Sequence, residues 1–302
     1  MTTQVPVALV LDVPAGEFVD AFGHSPFRVR HSLNLNHPLL TRDALIARAA
    51  DWPTPWLEHH RAELPFVLPS GKTDQLAVSA GEVVRDIDSN GCWMVLWQLE
   101  HSPRYSAFLD ECLEGVDGLV GAREGGITSR GLNVLVASPD AVVPAHFDMH
   151  HNFLLQIEGT KDVMIGSFSD PSIGEREIDR YFDQHNNNLR LLPDVVSTFP
   201  LAPGDGLYIP PFAFHWIRGG PETSISISCG FRTRSTEQAN LVHVCNARLR
   251  RVGLHPAPPG RSAYRDRAKA AAFTWARRAR RTLRSAGSWV RHRTDRSVEG
   301  ES

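Results

Sequence analysis

His146 and Asp148 stand two residues apart in PAHFDMHHNFLLQIEG (144–159). In a strand, residues i and i+2 point to one face, so an imidazole and a carboxylate at this spacing converge on a single ion. A third ligand must come from elsewhere in the chain. His215 in PGDGLYIPPFAFHWI (203–217) is the best-placed candidate, just beyond a strand and a double proline that fixes the approach of the chain. Two imidazoles and one carboxylate, with coordination positions left open, make the facial-triad pattern of non-haem Fe(II) oxygenases. Alone, a His-x-Asp pair is weak evidence, since hydrogen-bonded surface pairs share the spacing.

Lys161 adds a second feature. After the Gly159–Thr160 turn, the strand KDVMIG places Lys161 on one face with Val163 and Ile165. A lysine facing an apolar interior sheds its proton unless a counter-charge meets it, and a dicarboxylate cosubstrate would be such a counter-charge. A lysine at the strand's mouth that reaches water satisfies the pattern equally well.

The elements that must position these groups are legible in outline. TRDALIARAA (41–50) reads as a helix capped by Thr41, and RYSAFLDECLEG (104–115) as a second, with Phe108, Leu109 and Cys112 on one face. From about residue 131 the texture becomes short, β-branched strands bounded by Gly, Pro or Asp: GLNVLVASP, HNFLLQIEG, KDVMIGSF, GDGLYIPP and TSISISCGF. Such a run suggests a sandwich or small barrel of jelly-roll type. Helical texture returns after 235, with Leu241, Val244, Cys245 and Leu249 sharing a face, and then Ala272, Ala276, Ala279, Leu283 and Val290 opposite a dense arginine face.

The chain has 302 residues, 42% of them apolar, enough for a substantial core in one large domain or two small ones. No apolar run approaches the eighteen or so residues of a membrane helix, so integral membrane association is not expected. The opening MTTQVPVALVLDVP lacks a basic n-region, and a secretory signal is not expected either. Cys92, Cys112, Cys229 and Cys245 are scattered without paired spacing, which argues against a disulfide scaffold or zinc-thiolate site and fits a reducing cytoplasm. The formal net charge of −2 conceals an acidic body before Arg248 and an arginine-rich tail after it.

Taken in order, His146-x-Asp148, Asn152, Gln156, Gly159, Lys161, PGD-x-LYIP (203–210) and His215 resemble the JmjC and cupin-like Fe(II)/2-oxoglutarate oxygenases. The nearest likeness is to the protein-hydroxylase branch typified by the asparaginyl hydroxylase of hypoxia-inducible factor. It covers roughly residues 130–232. The resemblance implies a mainly β fold with flanking helices: a double-stranded β-helix (jelly roll, cupin) core over 126–234, an N-terminal α+β flank over 1–125, and a C-terminal helical region with a basic tail over 235–302. It implies iron on His146, Asp148 and His215, and 2-oxoglutarate anchored by Lys161 with Asn152 beside the cosubstrate or the metal. Many relatives carry a hydroxyl residue three before the first ligand, where this chain has Val143. Relatives also often place Asn in the strand Ser224–Gly230. Here Ser224, Ser226 and Ser228 alternate with Ile225 and Ile227, so hydroxyls line one face, and Ser226 is taken as the substitute. The chemistry implied is hydrogen abstraction from a C–H bond by a ferryl species, with O₂ consumed and succinate and CO₂ released.

The leading reading is therefore a cytoplasmic 2-oxoglutarate-dependent dioxygenase that hydroxylates an amino-acid side chain of a protein or peptide. Beside it stand the same chemistry on a free amino acid or small natural product, and a cupin-like metal- or ligand-binding module without 2-oxoglutarate turnover. Demethylation uses the same chemistry but lacks an accompanying reader or zinc module. A homodimer through helices at 236–252 is the first reading of the C-terminal region. With three lysines in the chain and no regularly interleaved aromatics, nucleic-acid binding is not expected. The polar segment 168–194 reads as an insertion with a leaning towards a substrate lid. Of His150 and His151, one is expected at the pocket rim and one in solvent. Trp93, Trp97 and Trp216 read as packing residues, and Arg218 could meet an anionic substrate only by facing the cavity.

Overall fold

Alternation of side chains along each strand dictates the architecture. In SISISCGF the isoleucines, Cys229 and Phe231 need one apolar layer while the serines need another environment, and a strand between two layers supplies both. The computed structural model describes residues 11–12, 18, 20–68, 78–184 and 186–275. The strands are β1 Leu11–Asp12, β2 Phe27–His31, β3 Leu57–Arg61, β4 Cys92–Leu96, β5 Ile127–Ala137, β6 Val142–His146, β7 His151–Glu158, β8 Lys161–Ser167, β9 Asp194–Leu201, β10 Asp205–Ile209, β11 Phe214–Gly219 and β12 Ser224–Thr233. Helices α1 Arg42–Asp51, α2 Ala80–Arg85, α3 Pro103–Cys112 and α4 Val116–Glu124 precede the core strands. Helix α5 Pro171–Gln184 falls between β8 and β9, and α6 Arg234–Arg251 follows β12.

The strands form two antiparallel sheets that face each other, the jelly-roll arrangement. The larger runs β1-β2-β10-β7-β12-β5-β4-β3 and the smaller β6-β11-β8-β9. On the outer face of the large sheet, Leu132, Val134 and Val136 of β5, Phe153, Leu155 and Ile157 of β7, and Ile225, Ile227, Cys229 and Phe231 of β12 join the helical residues Leu45, Val83, Val84, Phe108 and Leu109 in the main core. The inner face is left to Asn133, Leu135, Asn152, Leu154, Gln156 and the three serines. Helix α1 starts where Thr41 caps it, its hydroxyl accepting from the Ala44 N–H at 3.4 Å. Helix α4, unseen in the sequence, follows α3 through Gly115 at φ +83°.

The chain divides into two compact units, Met1–Thr236 and Glu237–Ser302. The first holds both sheets, so the N-terminal flank shares one sheet with the core strands through β2, β3 and β4. In the second, α6 turns Val242, Asn246 and Ala247 inwards rather than the Leu241, Val244, Cys245 and Leu249 stripe. A helical stretch at 263–275 buries Asp266, Ala270 and Phe273, and Ala272 is exposed. Lys269 spans the interior of this unit, donating to Asn246 Oδ1 at 2.8 Å and the Ala257 carbonyl at 3.1 Å. Ala276, Ala279, Leu283 and Val290 lie outside the described residues, as does most of the arginine face.

The segment 168–194 is not a loose insertion. Its helix α5 belongs to an aromatic cluster with Phe147, Met164 and Trp216, side chains that alternate with the inward-facing His146 and His215 and so lie on the outer face of the small sheet. The expected lid is instead an outer buttress, because Ile178, Tyr181 and Phe182 carry enough apolar surface to require burial.

Gly159 at the β7–β8 turn has φ +66°, and a Cβ there would overlap the Thr223 carbonyl oxygen. Gly159→Ala is expected to cost about 2–4 kcal/mol of stability, combining left-handed backbone strain with a backbone clash. Urea unfolding of the variant checks this.

Candidate metal centre

The triad forms at one end of the barrel, where β6 and β11 pair. His215 is the register partner of His146, and the ladder shifts between His215 and Ile217, a bulge of the kind that re-aims side chains beside active sites. The segment Ile209–His215 sets the second histidine's approach. Phe212 adopts φ +63°, and its N–H donates to the Asp148 backbone carbonyl at 2.7 Å, tying the β10–β11 turn to the carboxylate residue of the triad. A left-handed non-glycine residue is strained, and here the strain sits directly against the site.

Both imidazoles are oriented in the same way. His146 Nδ1 lies 2.8 Å from the Pro144 carbonyl and His215 Nδ1 lies 2.9 Å from the Ala213 carbonyl. A carbonyl only accepts, so each Nδ1 carries the proton and each Nε2 presents a bare lone pair. The rings are 4.1 Å apart, His215 Nε2 is 4.0 Å from Asp148 Oδ2, and one donor atom from each of the three residues lies within 4.8 Å of the others. Burial, then the neighbouring His146, pushes the His215 imidazole down and keeps it neutral at pH 7. Burial works against ionisation of Asp148, but His150, His146 and His215 and a hydrogen bond from Asn152 hold its carboxyl below the usual carboxylate range. Two imidazoles and a carboxylate are a donor set suited to a divalent transition metal.

Asn152 is itself held. Ser228 Oγ donates to its Oδ1 at 2.9 Å, which leaves the amide NH₂ for Asp148. Asn152→Ala is expected to weaken metal binding by roughly tenfold, the lower end of what loss of an orienting partner costs. Competition with a chelator of known affinity measures it.

A cavity of about 50 Å³ adjoins the triad, lined among others by Asn133, Leu135, Val143, Asn152, Leu154, Ile209, Ile217 and Ser228. Ser226, expected at the cosubstrate, does not line it. Its hydroxyl donates to Gln156 Oε1 at 2.7 Å inside a fully buried cluster with Ser224, and Ser228 is the serine that reaches the cavity. Lys161 does not line it either. It lies on the face of β8 shared with Val163 and Ile165, four residues from Ile165, which pairs with His215. It is 5% exposed, and no hydrogen bond or ion pair to its ammonium occurs among the described residues. Burial lowers it to about 7. It also borders a cleft of about 470 Å³ at the strand ends away from the triad, with Arg28, Asp162 and Arg218. Between Lys161 and the triad the inner wall is aliphatic, formed by Leu154, Val163 and Ile217. Such a wall fits a short methylene chain carrying a carboxylate at each end, one on the metal and one on the lysine.

Several residues around the centre lie in surroundings that their local sequence does not show. Trp97 is 36% exposed and borders the cavity, whereas Trp93 is buried. His151 is enclosed rather than solvated, stacked on Phe22 and Phe231 with Nδ1 2.7 Å from the Tyr208 hydroxyl. His150 borders the cavity and lies against Gly230, where a Cβ would sit 2.8 Å from its ring. Gly230 thus supplies room for His150. Arg218 lies over the Phe66 ring, away from the metal cavity.

Residues 126–239 match the family described as a JmjC domain. The match is confined to this segment, and the two-sheet jelly-roll fold is the one shared with the solved structures that align with the chain. No curated protein sequence matches the chain. Among solved structures it is similar to Escherichia coli YcfD, at 16% identity and TM-score 0.51, over 88% of this chain and 68% of that one. A structure of YcfD, described as a ribosomal oxygenase, in complex with cobalt and 2-oxoglutarate aligns at 15% identity and TM-score 0.51, over 89% and 68%. Among the described residues, no helix is long and apolar enough to cross a membrane.

Proposed function

We propose that this chain is an Fe(II)- and 2-oxoglutarate-dependent oxygenase that hydroxylates an amino-acid side chain of a protein or peptide. One observation carries the reading. Two imidazoles with fixed Nδ1–H tautomers and one carboxylate converge in a barrel whose inner face also holds a buried lysine with no anion of its own among the described residues. Bound iron and 2-oxoglutarate would supply the O₂-activating chemistry, with succinate and CO₂ as co-products. The protein's part is to place His146 Nε2, His215 Nε2 and an Asp148 oxygen on the metal, with Asn152 orienting the carboxylate. Lys161 meets the distal carboxylate of the cosubstrate, whose charge replaces the missing counter-ion. Leu154, Ile209 and Ile217 keep water from the reacting centre. The protein substrate is favoured by the likeness to a ribosomal oxygenase and by the partly exposed Trp97 that borders the cavity. The same reading includes a cytoplasmic location and a homodimer through the C-terminal helices.

Anaerobic titration with Fe(II) and then 2-oxoglutarate tests the proposal. The expected result is a weak visible metal-to-ligand charge-transfer band. Iron binding without the band would remove 2-oxoglutarate and leave a metal-binding cupin.

A further inference from the structure

The strand ends away from the triad gather positive charge that few carboxylates answer. Lys161, Arg28 and Arg218 border one cleft of about 470 Å³, together with Thr160, Asp162 and Asp205. They reach it from three strands. Lys161 begins β8 opposite Gly219, the residue after Arg218 in β11, and Arg28 of β2 pairs with Leu207 of β10. Both guanidinium groups are held without being neutralised. Arg28 Nη1 donates to the Pro200 carbonyl at 2.8 Å, and its guanidinium lies 5.6 Å from the centre of the Phe199 ring. The Arg218 guanidinium lies 5.6 Å from the centre of the Phe66 ring. A carbonyl and an aromatic face fix an arginine but leave its charge and most of its donors unspent. Among the described residues neither arginine forms an ion pair. Asp205 is taken by Arg30 at 3.1 Å, so Asp162 is the lining carboxylate that has no cation of its own among the described residues.

Lys161 adds a buried ammonium with no hydrogen bond or ion pair among the described residues. Burial lowers it to about 7, so an anion arriving in the cleft also favours its protonated form. Thr160 adds an exposed hydroxyl, for which Gly220 leaves room. Three cationic side chains against one unpaired carboxylate select an anion, and their spread over three strands selects its shape. A phosphate monoester presents terminal oxygens in three directions, whereas a carboxylate presents two in one plane. A volume of about 470 Å³ falls within the roughly 300–1,000 Å³ of pockets that take small organic molecules.

We infer that this cleft binds a small organic phosphate, whose phosphoryl group is held by Arg28, Arg218 and Thr160 beside Lys161. The site is distinct from the place proposed for 2-oxoglutarate, which follows the inner wall of Leu154, Val163 and Ile217 towards the metal. It goes beyond the oxygenase reading and does not rest on it, since no metal ligand borders the cleft.

Isothermal titration calorimetry of the full chain tests the site, without added metal because phosphate would complex it. The probes are glycerol 3-phosphate, a dianion above its second ionisation at about pH 6, and dimethyl phosphate, a singly charged control. Glycerol 3-phosphate is expected to bind about tenfold more tightly than dimethyl phosphate, and the double variant Arg28→Gln/Arg218→Gln to erase that margin. Asp162→Asn is expected to tighten binding about threefold by removing the unpaired carboxylate, a gain that misfolding does not produce. Equal binding of the two esters by the wild-type chain overturns the inference without any variant, as does an Asp162→Asn chain that binds no more tightly. A margin that survives in the double variant also overturns it, because the phosphate would then sit inside the barrel on Lys161. Tighter binding of a phosphoserine peptide than of glycerol 3-phosphate would replace the small molecule by a phosphorylated protein and overturn the inference as stated. The charge-transfer titration is read separately. Loss of the band sinks the oxygenase reading and leaves this site standing, and a band without phosphate binding does the reverse.

Discussion

Replacing His146 by alanine is expected to lower Fe(II) affinity by more than the roughly hundredfold that loss of an orienting partner can cost, and to abolish the charge-transfer band. The geometry gives the reason. The centre has three protein donors within 4.8 Å of one another, and removing one leaves His215 and Asp148 to hold the ion as a pair. The backbone should tolerate the change, because among the described residues the only hydrogen bond the imidazole makes is to the Pro144 carbonyl of its own strand. Thermal unfolding without metal is therefore expected to shift little, while metal-induced stabilisation disappears. Equilibrium dialysis against Fe(II) under argon, or against Co(II) as an air-stable substitute, measures both effects. Unchanged affinity in His146→Ala would place the metal elsewhere.

Lys161→Met is expected to stabilise the apo-protein at and below pH 7 and to abolish its response to 2-oxoglutarate. Methionine keeps a long apolar stem and removes the buried charge. In the wild-type chain the ammonium falls from its usual 10.5 to about 7 because it is buried. Between those two values the unfolded chain holds a proton that the folded chain has lost, so wild-type stability rises as pH increases from 7 towards 10.5. The slope is at most about 1.4 kcal/mol per pH unit, and the whole effect at most about 5 kcal/mol. The variant lacks this rise, so the two chains differ most below pH 7 and converge at the alkaline end. Saturating 2-oxoglutarate with metal should stabilise only the wild type, since its distal carboxylate pairs with the ammonium. Urea unfolding at pH 6.5, 8 and 9.5, with and without the cosubstrate, gives the comparison. A flat wild-type profile would mean that the ammonium reaches water through the cleft it shares with Arg28 and Arg218.

Much of the centre was readable because it is local. His146 and Asp148 share a face through strand-like alternation, although Asp148 lies just beyond β6, and the intervening Phe147 points into the outer cluster. Lys161 faces inward with Val163 and Ile165 for the same reason. The serine row of β12 faces the interior, yet alternation could not say which serine meets the cavity. That depends on the β7–β12 register, which gives Ser226 to Gln156 and sets Ser228 across from Leu154 beside Asn152. Helix α5 was hidden by its polar composition, since only the aromatic cluster on the small sheet reveals where its few apolar residues go.

What the chain order and residue types indicated by themselves was a jelly-roll run of strands, a His146–Asp148 pair on one face with His215 as the best-placed third residue, and Lys161 on the face of Val163 and Ile165. The shared faces follow from a period of two over a few residues. Tertiary structure decided the rest. It brought β4 beside β5 in the large sheet, so that Val95 and Trp97, about fifty residues before the first ligand in sequence, border the cavity. It also turned His151 into an aromatic stack and set His150 over Gly230. The physical reason is that side-chain alternation fixes which face a residue occupies, whereas the residue it meets is fixed by pairing between strands far apart in the chain.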